Sequence, residues 1–533
     1  MIKAVRGTRD LLPPETAVWN FVEETAREVF RAYNFQEIRT PIFESTELFA
    51  RGVGEETDIV SKEMYTWADG ADPADFALYK EWLIRNMKEG PFEEVEPEKA
   101  KAARGSAGPT LFIAQNGEVK LVRFRYGASP SEVRQLARDS QNWGAPNSLH
   151  EILLVTLLGS IPEGTRNAAS ECGVRIEEIA IKGLELPHSL TLRPEATAGV
   201  VRAYIEHDLE KRGLNKLYCI GPMFRRERPQ KGRYRQFYQI DAEVIGPPSS
   251  GSESPARDAE ILEMIATLLD RLGIRGWDLK LNSVGCKDDR AKFNEALRKA
   301  LEPVAAQMCA DCQRRAVTNP LRVFDCKVPA DQPIIEKLPR ISQFLDEPCR
   351  KHFDAVQEIL IKVGVEFQIN DRLVRGLDYY TRTAFEFTHG ALGAQNAILG
   401  GGRYDGLSEA LGGPPAPGIG FAIGEDRLVM SLQESLSDVV KKPDAYIAPL
   451  GAGMNPAAAL LARELRRQNL VVDLGDEHFR LKKSFEAATK AGAKYILIVG
   501  ENELKADAFA LKNLATGEQV SVPRGELAQK IRE

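Results

Sequence analysis

The stretch from Leu217 to Ile245 constrains this chain most, because it asks two apolar strands to meet at a turn crowded with positive charge. Its loop, Arg225-Arg226-Glu227-Arg228-Pro229-Gln230-Lys231-Gly232-Arg233-Tyr234-Arg235, holds six cations and one anion. Such density is costly unless polyanions visit, and phosphates, which arginine grips with paired N–H donors, are the obvious candidates. The returning strand alternates cleanly. Tyr238, Ile240, Ala242 and Val244 share one face, and Gln239, Asp241 and Glu243 share the other. An apolar face toward a core, with a carboxylate-and-amide face beside a phosphate-binding loop, reads as a substrate site. The plainer alternative is a solvated sheet face with a basic loop.

The net charge of −6, from 71 Lys+Arg against 77 Asp+Glu, hides this local concentration. A length of 533 residues suggests about three to five domains. A composition of 43% hydrophobic and 28% charged residues excludes a disordered or fibrous chain. The longest aliphatic run, around Ile152–Leu158, is far below the ~20 residues of a membrane helix, and the Met1–Gly7 start has no signal-peptide core. Seven scattered cysteines fit a reducing compartment, so a cytoplasmic location is expected.

Along the chain, residues 15–32 read as an amphipathic helix opened by Pro13-Pro14. Strands are expected over Phe35–Ile38, Lys62–Trp67 and Leu190–Glu195. Between 70 and 187 helical patterns broken by Gly and Pro predominate: Pro130–Leu136 and Ser148–Leu158 read as helices, Thr110–Phe124 as a hairpin turning at Asn116-Gly117, and Glu93-Glu94 as solvated charge. Pro247–Ser252 reads as a loop, and a helix-rich block covers 278–352. Gly400–Gly406 and Gly418–Arg427 read as glycine-rich turns where backbone approaches a ligand; neither has P-loop or dinucleotide-fingerprint spacing. After Pro443 the pattern is strand (Ala445–Pro449), helix (Asn455–Gln468), strand (Val471–Leu474), helix (Leu481–Ala491), strand (Tyr495–Val499), which predicts a separate α/β domain with a largely parallel sheet.

Several of these segments resemble a known family. Gly221–Gln230 looks like motif 2 of the class II aminoacyl-tRNA synthetases, Arg39-Thr40-Pro41 resembles motif 1, and Gly418–Arg427 resembles motif 3. Leu373–Tyr380 and Gly400–Gly406 resemble the two signatures of the histidyl-tRNA synthetase family, and Lys3–Asp10 its opening. The resemblance implies an α+β chain: a class II antiparallel-sheet catalytic domain with inserted helical modules, plus a C-terminal α/β anticodon-binding domain. The expected division is catalytic at 1–69, 188–277 and 353–440, inserted at 70–187 and 278–352, and anticodon-binding at 444–533.

By the same resemblance, Arg225 should hold the α-phosphate of ATP and Arg427 the γ-phosphate, with Gly418 and Gly420 in the ATP site. Arg375 should contact the α-phosphate and the reacting carboxylate, making Arg375 and Arg225 the catalytic pair. Glu195, Ala196, Thr197 and Gln239 should bind the α-amino end of histidine. Glu243 and Tyr380 should bond the imidazole nitrogens, with Tyr379 nearby. Arg228 and Gln230 would face the tRNA acceptor end. Ala196 stands where the family usually has Gly. Mg²⁺ would enter with ATP, tRNA would be the second substrate, and a homodimer without membrane association is the family expectation. Arg480-Leu481-Lys482-Lys483, with Arg463, Arg466 and Arg467, could contact phosphates, or could be a solvated face. A histidine-sensing regulatory paralog would typically lose the basic loop, the catalytic arginine and the last domain. Arg225, Arg375, Arg427 and residues 444–533 argue against it.

No metal site is expected. Cys309-Ala-Asp-Cys312 is a single C-x₂-C pair, with Cys286, Cys326 and Cys349 nearby in sequence and Asp289 where a partner for Cys286 would stand; a zinc site usually shows two spaced pairs, so ordinary buried thiols are the favoured reading. The histidines at 150, 188, 207, 352, 389 and 478 form no ligand or triad spacing, and Cys172 is isolated. Residues 70–187 have no counterpart in the resemblance. They lie between Met64–Trp67 and Ser189–Leu192, which should pair, so an accessory module between neighbouring strands is expected.

Overall fold

The structure is a computed structural model that describes residues 2–54, 57, 59–69, 93–94, 110–115, 118–125, 130, 133–134, 136–138, 149–156, 163–178, 188–230, 232–374, 377, 379–392, 396–432 and 442–533. The chain divides into two compact units, Met1–Leu12 with Trp19–Glu434 and Pro13–Val18 with Ser435–Glu533.

The first unit is built on an eight-stranded sheet. Its spatial order is Gln36–Glu37, Lys216–Phe224, Gln236–Ile245, Gly418–Gly424, Ala397–Arg403, Thr381–His389, Trp277–Ser283 and Gln368–Ile369. The pairs at the two ends are parallel and every pair between them is antiparallel. The expected helix forms over Glu15–Ala32. Trp19, Val22, Ala26, Val29 and Phe30 recur at helical spacing and are buried, with Phe30 stacked on Tyr218 and Trp19 edge-on to Tyr238.

Most of the glycine-rich sequence is strand, and only Asp405-Gly406 forms a turn, between a strand and a short helix. Gly400–Gly402 lie within the strand Ala397–Arg403, and Gly418, Gly420 and Gly424 within Gly418–Gly424, both central in the sheet. Their glycines answer to internal packing. A Cβ on Gly420 would collide with the Glu243 carboxylate, and one on Gly418 with the Tyr404 ring.

The strand expected over Leu190–Glu195 covers His188–Leu192 and stops there. Pro194 has no N–H to continue the ladder, and the Glu195 carboxylate instead accepts N–H groups from the first turn of the helix Thr197–Glu206. Lys62 belongs to a π-helical turn, Ile59–Glu63, before the strand Tyr65–Asp69. That strand pairs with His188–Leu192 as expected, Tyr65 opposite Leu192 and Asp69 opposite His188.

Between those flanks the described residues form a five-stranded sheet of Glu93–Glu94, Thr110–Gln115, Glu118–Arg125, Leu149–Thr156 and Val174–Glu178. The hairpin register holds, with Gln115 opposite Glu118; the turn residues Asn116 and Gly117 lie outside the described residues. Of Pro130–Leu136, the described residues are helical. The segment Ser148–Leu158 is not a helix: Leu149–Thr156 is a strand, parallel to both neighbours. Its Ile152-Leu153-Leu154-Val155 core is the continuous apolar run of an inner parallel strand, which periodicity alone cannot tell from a buried helix. Glu93-Glu94 likewise pairs as a short strand, opposite Ala114 and Ile113.

In the 278–352 block, Trp277–Ser283 is a strand of the main sheet, and the helix-rich part begins at Lys287. In the second unit Val472–Leu474, Ala445–Pro449 and Tyr495–Val499 pair in parallel, and Ala508–Asn513 and Gln519–Pro523 extend the sheet antiparallel. The helices Asn455–Arg466 and Leu481–Ala491 complete the expected alternation.

Candidate active site

The hairpin's returning strand and the start of the helix Thr197–Glu206 enclose a polar wall inside the first unit. Gln239, Asp241 and Glu243 are all buried on one face of the strand, and Glu195 and Thr197 are buried opposite them. The Thr197 hydroxyl donates to Glu243 Oε1 at 2.6 Å, and the Tyr404 hydroxyl donates to Glu243 Oε2 at 2.6 Å. Glu195 accepts the backbone N–H of Thr197 at 2.8 Å and of Ala198 at 3.0 Å, so Ala196 sits in a turn fixed by its neighbour's carboxylate.

This wall carries more acceptors than the protein satisfies. Among the described residues, Gln239 Oε1 and both Asp241 carboxylate oxygens are buried without a hydrogen-bond partner. Burial pushes the Glu243 carboxyl up to about 8, with the neighbouring Glu195 adding to the rise against the bonds from Thr197 and Tyr404. Burial, then Glu243 and Glu195, hold Asp241 well above the usual carboxylate range, while Arg193 and Arg225 pull the other way. Burial also raises Glu195. A ligand bringing a cation and N–H donors would ionise these groups and fill the open acceptors.

Tyr379 and Tyr380 border the same region, their rings 4.7 Å apart, and Tyr379 lies 5.9 Å edge-on from Tyr404. A cavity of about 470 Å³ opens beside Tyr379, lined by Thr381, Arg382, Asp405 and Gly406 among others. Arg382 holds a left-handed backbone conformation, φ 45°, next to a break in register between Thr381 and Ala384. Such strain at a non-glycine residue persists where the surroundings impose it. Behind the sheet, fully buried Arg403 donates to Asp258 at 2.6 Å and to the Ser252 carbonyl at 2.7 Å. Asp258 also accepts from Thr383 at 2.5 Å and bonds His352 at 2.8 Å.

The basic loop supplies the complementary charge. Arg225 donates to the Pro194 carbonyl at 2.9 Å and lies 5.2 Å over the Phe237 ring, half-buried at the pocket edge. Arg427 donates to the Ala397 carbonyl at 2.9 Å. Burial, then neighbouring Arg233, lowers its pKa, against the smaller opposing pull of Glu227 and Glu386. Arg228 and Gln230 are exposed on the loop. The opening segment underlies this loop: the Arg235 N–H donates to the Gly7 carbonyl at 2.7 Å, and Arg9 pairs with Asp426 at 2.8 Å. Arg375 lies outside the described residues.

The histidyl-tRNA synthetase family model matches residues 186–428, and the anticodon binding domain model matches 444–533. The chain is 56% identical over 533 residues to the histidine–tRNA ligase of Koribacter versatilis, covering all of this chain and 96% of that protein. It is 47% identical to that of Solibacter usitatus over all of this chain and 99% of that one. The chain belongs to the histidyl-tRNA synthetase family. A crystal structure of apo S. aureus histidyl-tRNA synthetase matches with a TM-score of 0.65 at 29% identity, over the full length of both chains.

Family membership corrects one expectation: because these curated relatives align along the whole chain, residues 70–187 are shared with them. The site geometry adds residues that pattern reading passed over. Tyr404 was visible only as part of a glycine-rich signature, yet it bonds Glu243 directly. Asp241 was assigned to the polar face without a role. Arg193 donates to the carbonyls of Pro222 at 2.9 Å and Thr40 at 3.0 Å, joining the motif 1 segment to the hairpin. Its place immediately before Pro194, alternating with Glu195 on one face of an extended strand, was the available signal.

Proposed function

We propose that the carboxylate-lined pocket receives histidine and that the adjoining arginines receive ATP. As a member of its family the chain is an aminoacyl-tRNA ligase, attaching histidine to tRNA through a histidyl-adenylate. In the reading supported best, Glu195, Thr197 and Gln239, with the backbone at Ala196, hold the α-ammonium end. Glu243 and Tyr380 bond the imidazole nitrogens, with Tyr379 against the ring. Arg225 and Arg375 hold the α-phosphate, and Arg427 the γ-phosphate. Gly418 and Gly420 contribute by leaving room for Tyr404 and Glu243.

A histidine carboxylate oxygen then attacks the α-phosphorus and pyrophosphate leaves. A terminal ribose hydroxyl of the tRNA attacks the activated carbonyl and AMP leaves. The protein's part is alignment and fixed positive charge around the phosphate, while Mg²⁺ arriving with ATP offsets the triphosphate charge. Arg228 and Gln230, exposed on the loop, are placed in this reading toward the acceptor end.

The observation that carries the reading is the buried acceptor wall, with Gln239 Oε1 and Asp241 left open beside Glu195 and Glu243. An apolar or anionic side chain would bring Glu243 no N–H partner, whereas an imidazole does. Histidine-dependent ATP–pyrophosphate exchange tests it: Glu243→Ala should lose histidine selectivity, and unchanged histidine affinity in that variant refutes the pocket. Arg225→Ala should lower exchange by about 10²–10³-fold, the usual loss for a fixed transition-state donor.

A homodimer is proposed on the strength of the small sheet of Phe43–Ser45, His188–Leu192 and Tyr65–Asp69, where Ile42, Phe43 and Trp67 are exposed. Phe43→Glu should shift the sedimentation coefficient to that of a monomer. No helix among the described residues is long and apolar enough to cross a membrane. A cytoplasmic setting is proposed from the free cysteines. The 70–187 segment is proposed as an accessory module, since Asp69 and His188 pair directly across it.

A further inference from the structure

Away from the pocket, the helix-rich module contains a thiol cluster that neither histidine activation nor tRNA charging uses. Between Leu301 and Glu347 its longest helix is Ala310–Thr318, of nine residues, and the other elements are turns of three to six residues. Segments with so little regular structure commonly need a cross-link to hold a unique fold. Cys309 is the N-cap of that helix and Cys312 lies in its first turn. Cys326 closes the turn Pro320–Asp325, and Asp331 ends the turn Pro329–Asp331. Folding brings all four together: one sulfur or carboxylate oxygen from each lies within 4.8 Å of the others.

We propose that Cys309, Cys312, Cys326 and Asp331 form a tetrahedral zinc site that staples this module. The spacing fits the ion. Zinc–sulfur bonds of about 2.3 Å give a tetrahedral edge of about 3.8 Å between sulfurs, and the Cys309 and Cys326 sulfurs are 3.9 Å apart. Cys326 Sγ and Asp331 Oδ2 are 3.2 Å apart, somewhat inside the ~3.5 Å edge of a mixed sulfur–oxygen pair and within reach of a small adjustment. The Val328 N–H donates to Cys326 Sγ at 3.4 Å, and the Cys309 N–H donates to the Asp331 carboxylate at 3.1 Å, orienting two of the four donors. Three of the four residues are buried and Cys309 is half-buried, a closed set of the kind structural zinc occupies. On binding, each of the three thiols releases its proton to solvent and Asp331 binds as the carboxylate; no redox change is involved.

A second cluster, Cys286, Asp289, Asp346 and Cys349, makes the contrast. There Asp289 accepts the backbone N–H groups of Cys286 and Asp346, and Asp346 accepts that of Cys349, so both carboxylates serve as helix caps for Lys287–Leu301 and Glu347–Val363. That cluster offers two sulfurs where the first offers three, and both of its carboxylates are helix caps, so it is the poorer match to a thiolate-rich zinc site.

The test is elemental analysis of the full chain purified without chelator from zinc-supplemented medium. The expected result is one zinc per chain, retained by Cys286→Ser and lost from Cys326→Ser. In the unmodified chain, a mercurial that titrates thiols should release the zinc, read by a colorimetric zinc dye; this arm does not depend on any variant folding. Cobalt replacement should give the visible absorption of a tetrahedral thiolate site. Zinc well below one per chain, zinc lost from Cys286→Ser and kept by Cys326→Ser, or a Cys309–Cys326 disulfide in an unreduced peptide map would each overturn the proposal.

Discussion

The two units treat charge in opposite ways. The first buries Arg193, Glu195, Asp241, Glu243, Asp258, Arg403 and Glu425. In residues 444–533, Ser484 is the only buried polar side chain among the described residues, and every charged group stays at the surface. The C-terminal sheet therefore rests on an apolar core of residues such as Ile447, Leu461, Leu497 and Phe509, whereas the catalytic sheet threads ion pairs and open acceptors through its interior. Buried charges are costly unless paired. Where the first unit does pair them fully, as at Arg403 and Asp258, they fix strand positions; where it leaves acceptors open, as at Asp241, they line the pocket proposed for histidine.

The largest expected consequence lies at the fully paired end. Removing the Arg403 guanidinium strands Asp258 in the interior. Arg403→Leu should destabilise the first unit by about 3–5 kcal/mol, the usual cost of leaving one partner of a buried pair uncompensated. Urea unfolding followed by separate reporters on the two units would show the first transition moving and the second staying fixed. Equal movement of both transitions would break the contrast. Arg403→Leu combined with Asp258→Asn should recover part of the loss, because the stranded charge is then gone.

The open end should respond to pH. Glu243 has a folded pKa of about 8 against an ordinary value of 4.5, so the folded state binds the proton that the unfolded chain releases. Its contribution to stability is fully present below about 4.5 and is lost as pH rises through about 8. The first unit should therefore melt at progressively lower temperature as pH is raised across that window. Glu243→Gln should flatten the slope, and saturating histidine should also flatten it, because a bound cation favours the ionised carboxylate. The second unit has no raised buried carboxylate among its described residues and should be flat in the same window. A slope that persists in Glu243→Gln would assign the titration to another raised carboxylate, Asp241 or Glu195 in the same wall or Glu425, which burial pushes up to about 9.

The same division governs what could be read in the sequence. From Ala445 to Val499 the C-terminal alternation was legible to within about two residues, because each strand and helix there answers to one demand, burying an apolar face; the antiparallel strands Ala508–Asn513 and Gln519–Pro523 beyond it were not read, and they make the sheet less parallel than expected. In the catalytic sheet the strands answer to two. Gly418 and Gly420 weaken their strand but make space for Tyr404 and Glu243, so a pattern that signals turns marks the centre of the sheet. The polar face of Gln239, Asp241 and Glu243 was legible from alternation alone. Tyr404 was not singled out, because its partner is distant in sequence and only the sheet order brings them together. Cys326 was visible as one of several cysteines beside the C-x₂-C pair, but Asp331 was not, because the turns that bring it to the thiols have no periodicity.

The smallest expected effect tests whether the surface charge of the second unit has a function of its own. Arg480, Lys482 and Lys483 are exposed at the start of the helix Leu481–Ala491, with Arg480 as its N-cap. Cations at that end oppose the helix dipole and cost a few tenths of a kcal/mol or more each, so a chain selected for stability alone would not gather them there. A phosphate at the same place would be favoured by the dipole and by the side chains together. Lys482→Ala with Lys483→Ala should accordingly leave pyrophosphate exchange unchanged and the stability of the second unit close to unchanged, relief of the dipole offsetting the lost contact of Lys483 with the Phe479 ring, 3.8 Å away. It should weaken tRNA binding several-fold and reduce the slope of log affinity against log salt by about one per lost contact. Unchanged tRNA affinity and salt slope would make this face solvated surface, and the division between the units would then be one of construction without a division of labour.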